Sequence, residues 1–161
     1  IYVRSTQRDV FRRRILAGQT IMSISIGMDN ALVSPEMEPE ALAPTSNSQF
    51  NWPLWGSHLQ SGGREGEAPG LPEVKGLVDL YNQWRNSTSQ EQRRQIWKRM
   101  LNINAEQVYT IGIVNGASQP VVVSRRLHNV PVHGLYGFEP SAFFGMYKPD
   151  TFWFDKKTGA P

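Results

Sequence analysis

The residues that most often carry enzyme chemistry are few and scattered in this sequence. The chain has three histidines, His58, His128 and His133, and no cysteine. None of the histidines has a helical i, i+4 partner, and no carboxylate pair stands at a metal-ligand spacing. The Gly-x-Ser-x-Gly turn of serine hydrolases and the glycine-rich phosphate loops are also missing from the sequence. We therefore predict that the protein is not an enzyme and uses no metal or other cofactor.

One acidic residue stands where a ligand could meet it. Met22, Ile24 and Ile26 alternate with serines, a pattern that predicts a strand, and Asp29 and Asn30 follow that strand. Ligands of open α/β sheets bind beyond the carboxyl ends of parallel strands. A carboxylate there can pair with a ligand ammonium group, such as a peptide N-terminus. The alternative is an Asp-Asn turn that merely ends the strand.

Two tryptophans are the other binding candidates. Trp52 and Trp55 lie in a long segment with little periodicity, and their faces could wall a ligand cleft. The alternative is that they pin this segment to the core. We predict ligand contacts from Trp52 and Trp55 together with Asp29 and Asn30.

Positive charge is modest and locally concentrated. The formal net charge is +3, and five arginines stand near the start of the chain: Arg4, Arg8, Arg12, Arg13 and Arg14. A groove for nucleic acid needs more basic residues, usually with stacking aromatics between them. We expect no nucleic-acid partner and interpret the arginines as a solvated helix face.

The first 30 residues predict a strand, a helix and a second strand. Thr6 and Asp9 have the spacing of a capping box, and Gly18 fits the position after a helix end. With the alternating run that follows, residues 1–27 predict a βαβ unit with a right-handed crossover. Residues 28–70 contain many prolines and glycines and are too long for an ordinary connection. We expect one short helix at 36–43 and a segment that packs against the core.

A pair of helices and two further strands complete the predicted elements. Pro72 suits a first helical turn, and apolar residues follow at helical spacing to about residue 86. Thr88 and Glu91 form a second capping-box pattern, which predicts the start of the next helix. Residues 108–114 and 119–124 are valine- and isoleucine-rich and predict strands. The sequence thus predicts an α/β fold.

The ordered set of segments resembles the late part of peptide-type (family 5) solute-binding proteins of bacterial ABC importers. The resemblance is carried by residues 5–18, by the apolar strand that leads to Asp29, and by the helix pair in 71–107. It continues through Gln119–Leu127, Asn129–Pro131 and the ending Tyr147–Phe154. Asp29 is similar to the family's acidic residue that holds a ligand's amino group, although Gly27-Met28-Asp29-Asn30 departs from the commoner Asp-x-x-Asp-Pro pattern.

The resemblance implies a fragment of the type II, two-lobed periplasmic-binding-protein fold. Residues 1–30 are then the end of the second lobe, residues 31–70 a crossing segment, and residues 71–161 the C-terminal part of the first lobe. The implied function is binding of a solute, most simply a peptide, by hinge closure outside the cytoplasmic membrane. The implied partners are the ligand, a membrane ABC permease and the N-terminal part of the same polypeptide. The expected location is periplasmic, or extracytoplasmic and membrane-associated.

Two other functions stay open on the residues alone. One is a small α/β enzyme with its site beyond Gly27, which would require a second catalytic group near Asp29. The other is a stand-alone interaction module that uses the aromatic residues between Tyr136 and Trp153. If this aromatic segment packs on the helix pair, its role is structural. If it is exposed, it forms an apolar patch that indicates a partner.

Overall fold

Four α-helices and a two-stranded sheet form the regular structure of this chain in a computed structural model that describes residues 5–25, 27, 33–114, 116–118, 120–134 and 147–155. The described residues fall into two units. The first unit comprises residues 5–25 and 34–111, and it contains all four helices. The second comprises the described residues among 26–33 and 112–155, and it contains the sheet.

The first predicted helix is confirmed as α1, Arg8–Leu16. Its N-cap is Gln7, which makes no side-chain capping bond, so the capping box expected from Thr6 and Asp9 is absent. Gly18 has a φ of +67°, and its amide donates to the carbonyl of Ile15 at 2.9 Å. Glycine adopts this left-handed conformation without steric cost, so it ends the helix where the sequence predicted.

The rest of the expected βαβ unit is not formed in the described residues. Its first strand, at residues 1–4, lies outside them, and residues 19–25 have no regular secondary structure. A strand needs a neighbouring strand to satisfy its backbone groups, and the described chain supplies none at this place. Alternating apolar residues alone therefore do not make a strand here. The two-lobed architecture that the resemblance implies stays a prediction.

The predicted helix pair is confirmed. Helix α3 spans Pro72–Asn86 with proline in its first turn, and α4 spans Gln90–Gln107. The cap of α4 differs from the prediction, because Ser89 accepts a hydrogen bond from the amide of Gln92 at 3.2 Å. The N-cap is thus one residue later than the Thr88–Glu91 pattern suggested, and Ser89 satisfies an otherwise free amide of the first turn.

The core of the first unit forms where α3 packs against α4. Leu77 and Met100 are completely buried there, as is Val74. The remaining buried members of the core are Leu42, Ala43, Trp52, Leu80, Tyr81, Ile96 and Trp97. Several of these belong to the segment that precedes the helices, so that segment is part of the core.

Residues 35–44 lie along the helix pair and are bound to it through polar atoms. The indole of Trp84 donates to the carbonyl of Pro35 at 2.9 Å, and the indole of Trp97 donates to the carbonyl of Met37 at 3.0 Å. Farther along, Asn104 donates to the carbonyl of Leu42 at 3.1 Å. These bonds satisfy backbone carbonyls that a buried loop would otherwise leave unpaired. The short helix expected at 36–43 is a single 3-10 turn, Glu40–Leu42.

A helix that the sequence analysis missed follows this segment. Helix α2 spans Pro53–Gln60, within the residues interpreted as an irregular crossing segment. It lies against the preceding loop so closely that a Cβ on Gly56 would come within 2.0 Å of the Ser46 carbonyl oxygen. A side chain at Gly56 would therefore displace the loop from the helix.

The second unit contains little regular structure among its described residues. Strand β1, Leu127–His128, pairs antiparallel with β2, Trp153–Phe154. The strands expected at 108–114 and 119–124 are not formed, since Val108 caps α4 and the described residues among 109–124 are irregular. The same absence of a neighbouring strand explains this difference.

Candidate functional site

An open cleft in the first unit lies between α1 and α2. Its volume is about 400 Å³, within the size range of small-molecule sites. The lining residues come from α1, the loop before α2, α2 itself and the loop after it: Arg12, Leu16, Asn47, Ser48, Pro53, Leu54, Ser57, Glu65 and Gly66. The cleft thus combines an apolar floor with hydroxyl, amide and charged groups.

Aromatic contacts hold the α1 wall of the cleft. The ring of Phe11 meets the ring of Phe50 edge to face, with centroids 5.8 Å apart. The guanidinium carbon of Arg12 lies 5.7 Å from the centroid of the same Phe50 ring. Such a cation–π contact restricts an otherwise flexible arginine. Phe50 therefore both anchors α1 and helps to position Arg12 at the cleft.

The opposite wall is a glycine-rich loop that folds back onto α2. The amide of Glu67 donates to the carbonyl of Leu54 at 3.1 Å, and the amide of Glu65 donates to the hydroxyl of Ser61 at 2.9 Å. Gly66 has a φ of +73°, and a Cβ there would come within 2.1 Å of the Leu54 carbonyl oxygen. Only glycine permits this approach, which brings Glu65 to the cleft.

The loop before α2 is fixed by side-chain amides. The side-chain carbonyl oxygen of Gln49 accepts hydrogen bonds from the backbone amides of Thr45 and Ser46, at 2.9 and 3.2 Å. The amide of Asn47 donates to the side chain of Gln60 in α2 at 3.2 Å. Polar residues on this loop are thus held at the rim of the cleft before any ligand arrives.

The two charges that line the cleft are exposed and available. Neither Arg12 nor Glu65 forms an ion pair with any residue of the described ranges. The ion pairs of the first unit lie elsewhere, between Arg93 and Glu36 and between Arg94 and Glu91. Arg12 and Glu65 thus offer opposite charges at one site without neutralising each other.

The predicted tryptophans lie mainly in the core. Trp52 is only 7% exposed, and its ring meets that of Tyr109 edge to face at 5.5 Å. Trp55 is half-buried and packs against the same core. Trp52 therefore has little surface left for a ligand, and both residues hold the long segment in place. Asp29 and Asn30, the other predicted ligand contacts, lie outside the described residues.

The second unit has an exposed cluster around its small sheet. The rings of His128 and Trp153 stack with centroids 4.1 Å apart, and His128 Nε2 lies 2.6 Å from Asp155 Oδ1. Arg126 donates to the backbone carbonyl of Asp155 at 3.2 Å. Trp153 and its neighbour Phe154 remain 54% and 60% exposed. The stack and the polar contacts hold the two-residue strands together.

A shallow cleft of about 460 Å³ also occurs in the second unit, lined by Asn129, Val130, Pro131, Tyr147, Lys148 and Thr151. Asn129 donates to the hydroxyl of Thr151 at 2.8 Å, and that hydroxyl donates to the carbonyl of Lys148 at 2.8 Å. The polar side chains at this cleft are largely engaged in holding its own walls.

The described ranges contain neither a cluster of metal-ligating side chains nor a helix that could cross a membrane. These residues include no group of three or more histidines and carboxylates placed to hold a metal ion. Within the same ranges, none of the helices combines the length and apolarity that a membrane crossing requires.

Comparisons with known proteins give no relative for this chain. No family model matches the sequence, no curated protein is significantly similar to it, and no solved structure matches its fold.

The residues of the α1–α2 cleft were not singled out from the sequence. Pro53, a residue suited to a first helical turn, and the glycines of the following loop were the signals that could have indicated it.

Proposed function

We propose that this chain is part of an extracytoplasmic solute-binding protein of the peptide-transport type, which carries its ligand to an ABC permease in the membrane. The proposal starts from the resemblance of the ordered segments between Ser5 and Phe154 to that family. It assigns a passive binding role, in keeping with the scarcity of catalytic patterns in the sequence. The location that it implies is periplasmic or extracytoplasmic.

The observation that carries the proposal is a set of apolar side chains left in water. Val122 is 98% exposed, and Ile24 and Ile113 are both 70% exposed. The other large apolar side chains that are exposed in these segments are Ile21, Met22, Val108, Ile111, Val114, Val121 and Val123. They stand in the segments that carry the strand pattern of the sequence. Such surface is unfavourable unless another polypeptide segment covers it.

Burial of these exposed side chains would make a large favourable contribution to the free energy of folding. Burial of one valine, leucine or isoleucine side chain contributes about 1.5 to 3 kcal/mol. Under the proposal, strands from the N-terminal part of the same polypeptide would pair with these segments. They would bury the apolar residues and satisfy the unpaired backbone groups. The counterpart would complete both the sheet and the ligand site.

The proposed mechanism is closure of two lobes around the ligand. Closure excludes water from the site, which strengthens every charged contact with the ligand. A ligand stabilises the closed form only by the difference between its affinities for the closed and open forms. In this scheme Asp29 and Asn30 hold the amino group of the ligand.

The experiment that tests the proposal is native mass spectrometry of the full-length protein purified from its host. We expect a co-purified peptide or related small solute that dissociates on denaturation. The substitution Asp29→Asn in that protein is expected to weaken binding of amine-bearing ligands by about 1.5 to 3 kcal/mol, the usual range for a charged hydrogen bond. A protein that carries no solute and has no calorimetric affinity for short peptides would contradict the proposal.

The exposed pair Trp153 and Phe154 favours a second candidate, an interaction module. Two adjacent aromatic residues with more than half of their surface in water are typical of contact sites for other proteins. Under this function, replacement of both by serine would abolish co-purification of a protein partner with the full-length protein. Under the solute-binding proposal, the same replacement leaves solute binding unchanged.

A further inference from the structure

We infer that the outer side of α1 docks on an anionic lipid surface and that its arginines bind the phosphates of the headgroups. The α1 arginine patch consists of Arg8, Arg12, Arg13 and Arg14, which are all exposed. Such docking is independent of solute binding and follows from the charge and packing of α1 alone. It gives a role to a helix face that the sequence analysis interpreted as solvated.

The positive charge of this chain is concentrated in α1. Four arginines and Asp9 give this nine-residue helix a formal charge of +3, which equals the formal net charge of the whole chain. The remainder of the chain therefore balances to zero. Within the described ranges, none of the four arginines forms an ion pair. A concentrated charge of one sign that is not neutralised internally attracts an anionic partner.

Helix α4 also carries four cations, but they differ from the α1 arginine patch. Arg93 pairs with Glu36, and Arg94 pairs with Glu91, so two of the four are neutralised. The four cations are also spread along a helix of 18 residues, twice the length of α1. The charge density of α4 is therefore lower, and its remaining cations serve as a control for the patch.

The packing of α1 directs the arginines away from the rest of the fold. Successive residues of an α-helix are rotated by about 100° around its axis, so Arg13 lies about 160° from Ile15. Ile15 is the buried residue of α1 and is only 3% exposed. Arg12 and Arg14 flank Arg13 on its two sides. Because Arg8 precedes Arg12 by one helical turn, the patch is a convex band of cations on the outer side of the helix.

A lipid surface suits this convex band better than nucleic acid does. Guanidinium groups bind phosphate oxygens through charge-assisted hydrogen bonds, and a leaflet of anionic lipids presents its phosphates in a plane. Long arginine side chains on the flanks of a helix can bend toward such a plane. Nucleic-acid sites usually add aromatic rings that stack on bases, whereas Phe11, the aromatic residue of α1, packs on Phe50.

The test is co-sedimentation of the purified chain with vesicles of two compositions. One contains phosphatidylglycerol and phosphatidylcholine, and the other contains phosphatidylcholine alone. Each cation near an anionic surface strengthens binding roughly fivefold, so a net charge of +3 on α1 predicts a preference on the order of one hundredfold for the anionic vesicles. Added salt should weaken this preference, because it screens the charges. The neutral vesicles measure any adsorption through the exposed apolar segments.

Paired substitutions assign the binding to α1. Arg13→Gln with Arg14→Gln should weaken binding to the anionic vesicles roughly 25-fold. Lys98→Gln with Arg99→Gln removes the same charge from exposed residues of α4 and should leave binding nearly unchanged. Arg13→Lys with Arg14→Lys keeps the charge and should retain most of the binding. Far-ultraviolet circular dichroism checks that α1 is intact, and the single glutamine substitutions, at roughly fivefold each, replace the pair if it loses helix.

Four results would overturn the inference. Equal binding to both vesicle compositions would show that the charges of α1 play no part. An equal loss in the α4 control pair would indicate general attraction by net charge. A lysine pair that binds as weakly as the glutamine pair would indicate a partner that recognises the shape of guanidinium groups. Tighter binding of a DNA duplex, with the same dependence on Arg13 and Arg14, would assign the patch to nucleic acid.

Discussion

Replacement of Tyr81 by phenylalanine should change how the stability of this protein depends on pH. The hydroxyl of Tyr81, a residue of α3, donates a hydrogen bond to the carboxylate of Glu38 in the segment that lies along the helix pair. The pKa of Tyr81 is raised from 10.0 to about 12, chiefly by burial, and the hydrogen bond and charge of Glu38 contribute to the same rise. The guanidinium of Arg85, over the Tyr81 ring at 5.9 Å, acts in the opposite direction.

At pH 7 the substitution removes one hydrogen bond to a charged group. Glu38 is exposed, so its carboxylate regains water when the tyrosine hydroxyl is lost. The cost is therefore about 1 kcal/mol of unfolding free energy, below the usual range of about 1.5 to 3 kcal/mol for hydrogen bonds to charged groups. The phenyl ring keeps its packing in the core, so no cavity term adds to this cost.

Above pH 10 the sign of the difference should reverse. The unfolded tyrosine ionises near its ordinary pKa of about 10, whereas the folded one stays protonated to about 12. Because the folded-state pKa is raised, this stabilisation is complete below pH 10 and is lost as pH rises to 12. The loss is about 1.4 kcal/mol per pH unit across that window, so it exceeds the hydrogen-bond term of about 1 kcal/mol, and wild type becomes the less stable protein, at about pH 11.

The assay is urea unfolding followed by far-ultraviolet circular dichroism at intervals from pH 7 to 12. The difference between wild type and Tyr81→Phe isolates one residue, because all other titrating groups are common to both proteins. A constant difference from pH 7 to 12 would refute the reasoning. Tyr109→Phe is the matched control for the hydrogen bond at pH 7. Burial also raises the pKa of Tyr109, so this variant should likewise gain stability relative to wild type above about pH 10. The Tyr109 hydroxyl is buried without a hydrogen-bond partner among the described residues, so its removal should cost no stability at pH 7.

The remaining predictions concern packing, a close backbone approach and a helix cap, and all are measured as urea-unfolding free energies. Met100→Ala should cost about 2 to 5 kcal/mol, since Met100 is completely buried in the core; a cost below 1 kcal/mol would contradict that packing. Gly56→Ala should destabilise by about 1 to 3 kcal/mol, whereas Gly76→Ala, with open space around the new methyl group, should stabilise α3 by about 0.5 to 1 kcal/mol. Ser89→Ala should cost about 1 kcal/mol, because Ser89 caps α4, and Thr88→Ala should cost less than half of that. A larger cost for Thr88→Ala than for Ser89→Ala would indicate that Thr88 is the N-cap.

The spacing of residues in the sequence did not predict the candidate site. Arg12 was visible as one member of an arginine-rich helix face, and Glu65 stood in a glycine-rich stretch with no apparent role. Nothing in their spacing relates the two residues, since Arg12 lies in α1 and Glu65 follows α2. In the folded chain, Leu54 of α2 lies close to both Gly18 and Gly66. Sequence patterns report neighbours within a few residues, whereas a cleft is formed by residues that are distant in the chain.

The predicted strands failed for a related reason. The alternation in 20–27 and the valine- and isoleucine-rich runs 108–114 and 119–124 indicate segments that could form strands. It does not supply the neighbouring strand whose backbone groups complete the hydrogen bonds. In the described residues the only strand pairing joins β1 to β2, two short segments far apart in sequence.

The sequence by itself determined helices α1, α3 and α4, together with the ends marked by Gly18 and Pro72. Helix hydrogen bonds join residues four apart, so a short window of sequence contains nearly everything that a helix requires. Tertiary structure decided the rest. It placed residues 35–44 along the helix pair, buried Trp52, folded the glycine-rich loop onto α2 and brought Arg12 and Glu65 to one cleft. These outcomes depend on long-range packing and on hydrogen-bond partners for buried polar groups. The local spacing of residues in the sequence determines neither.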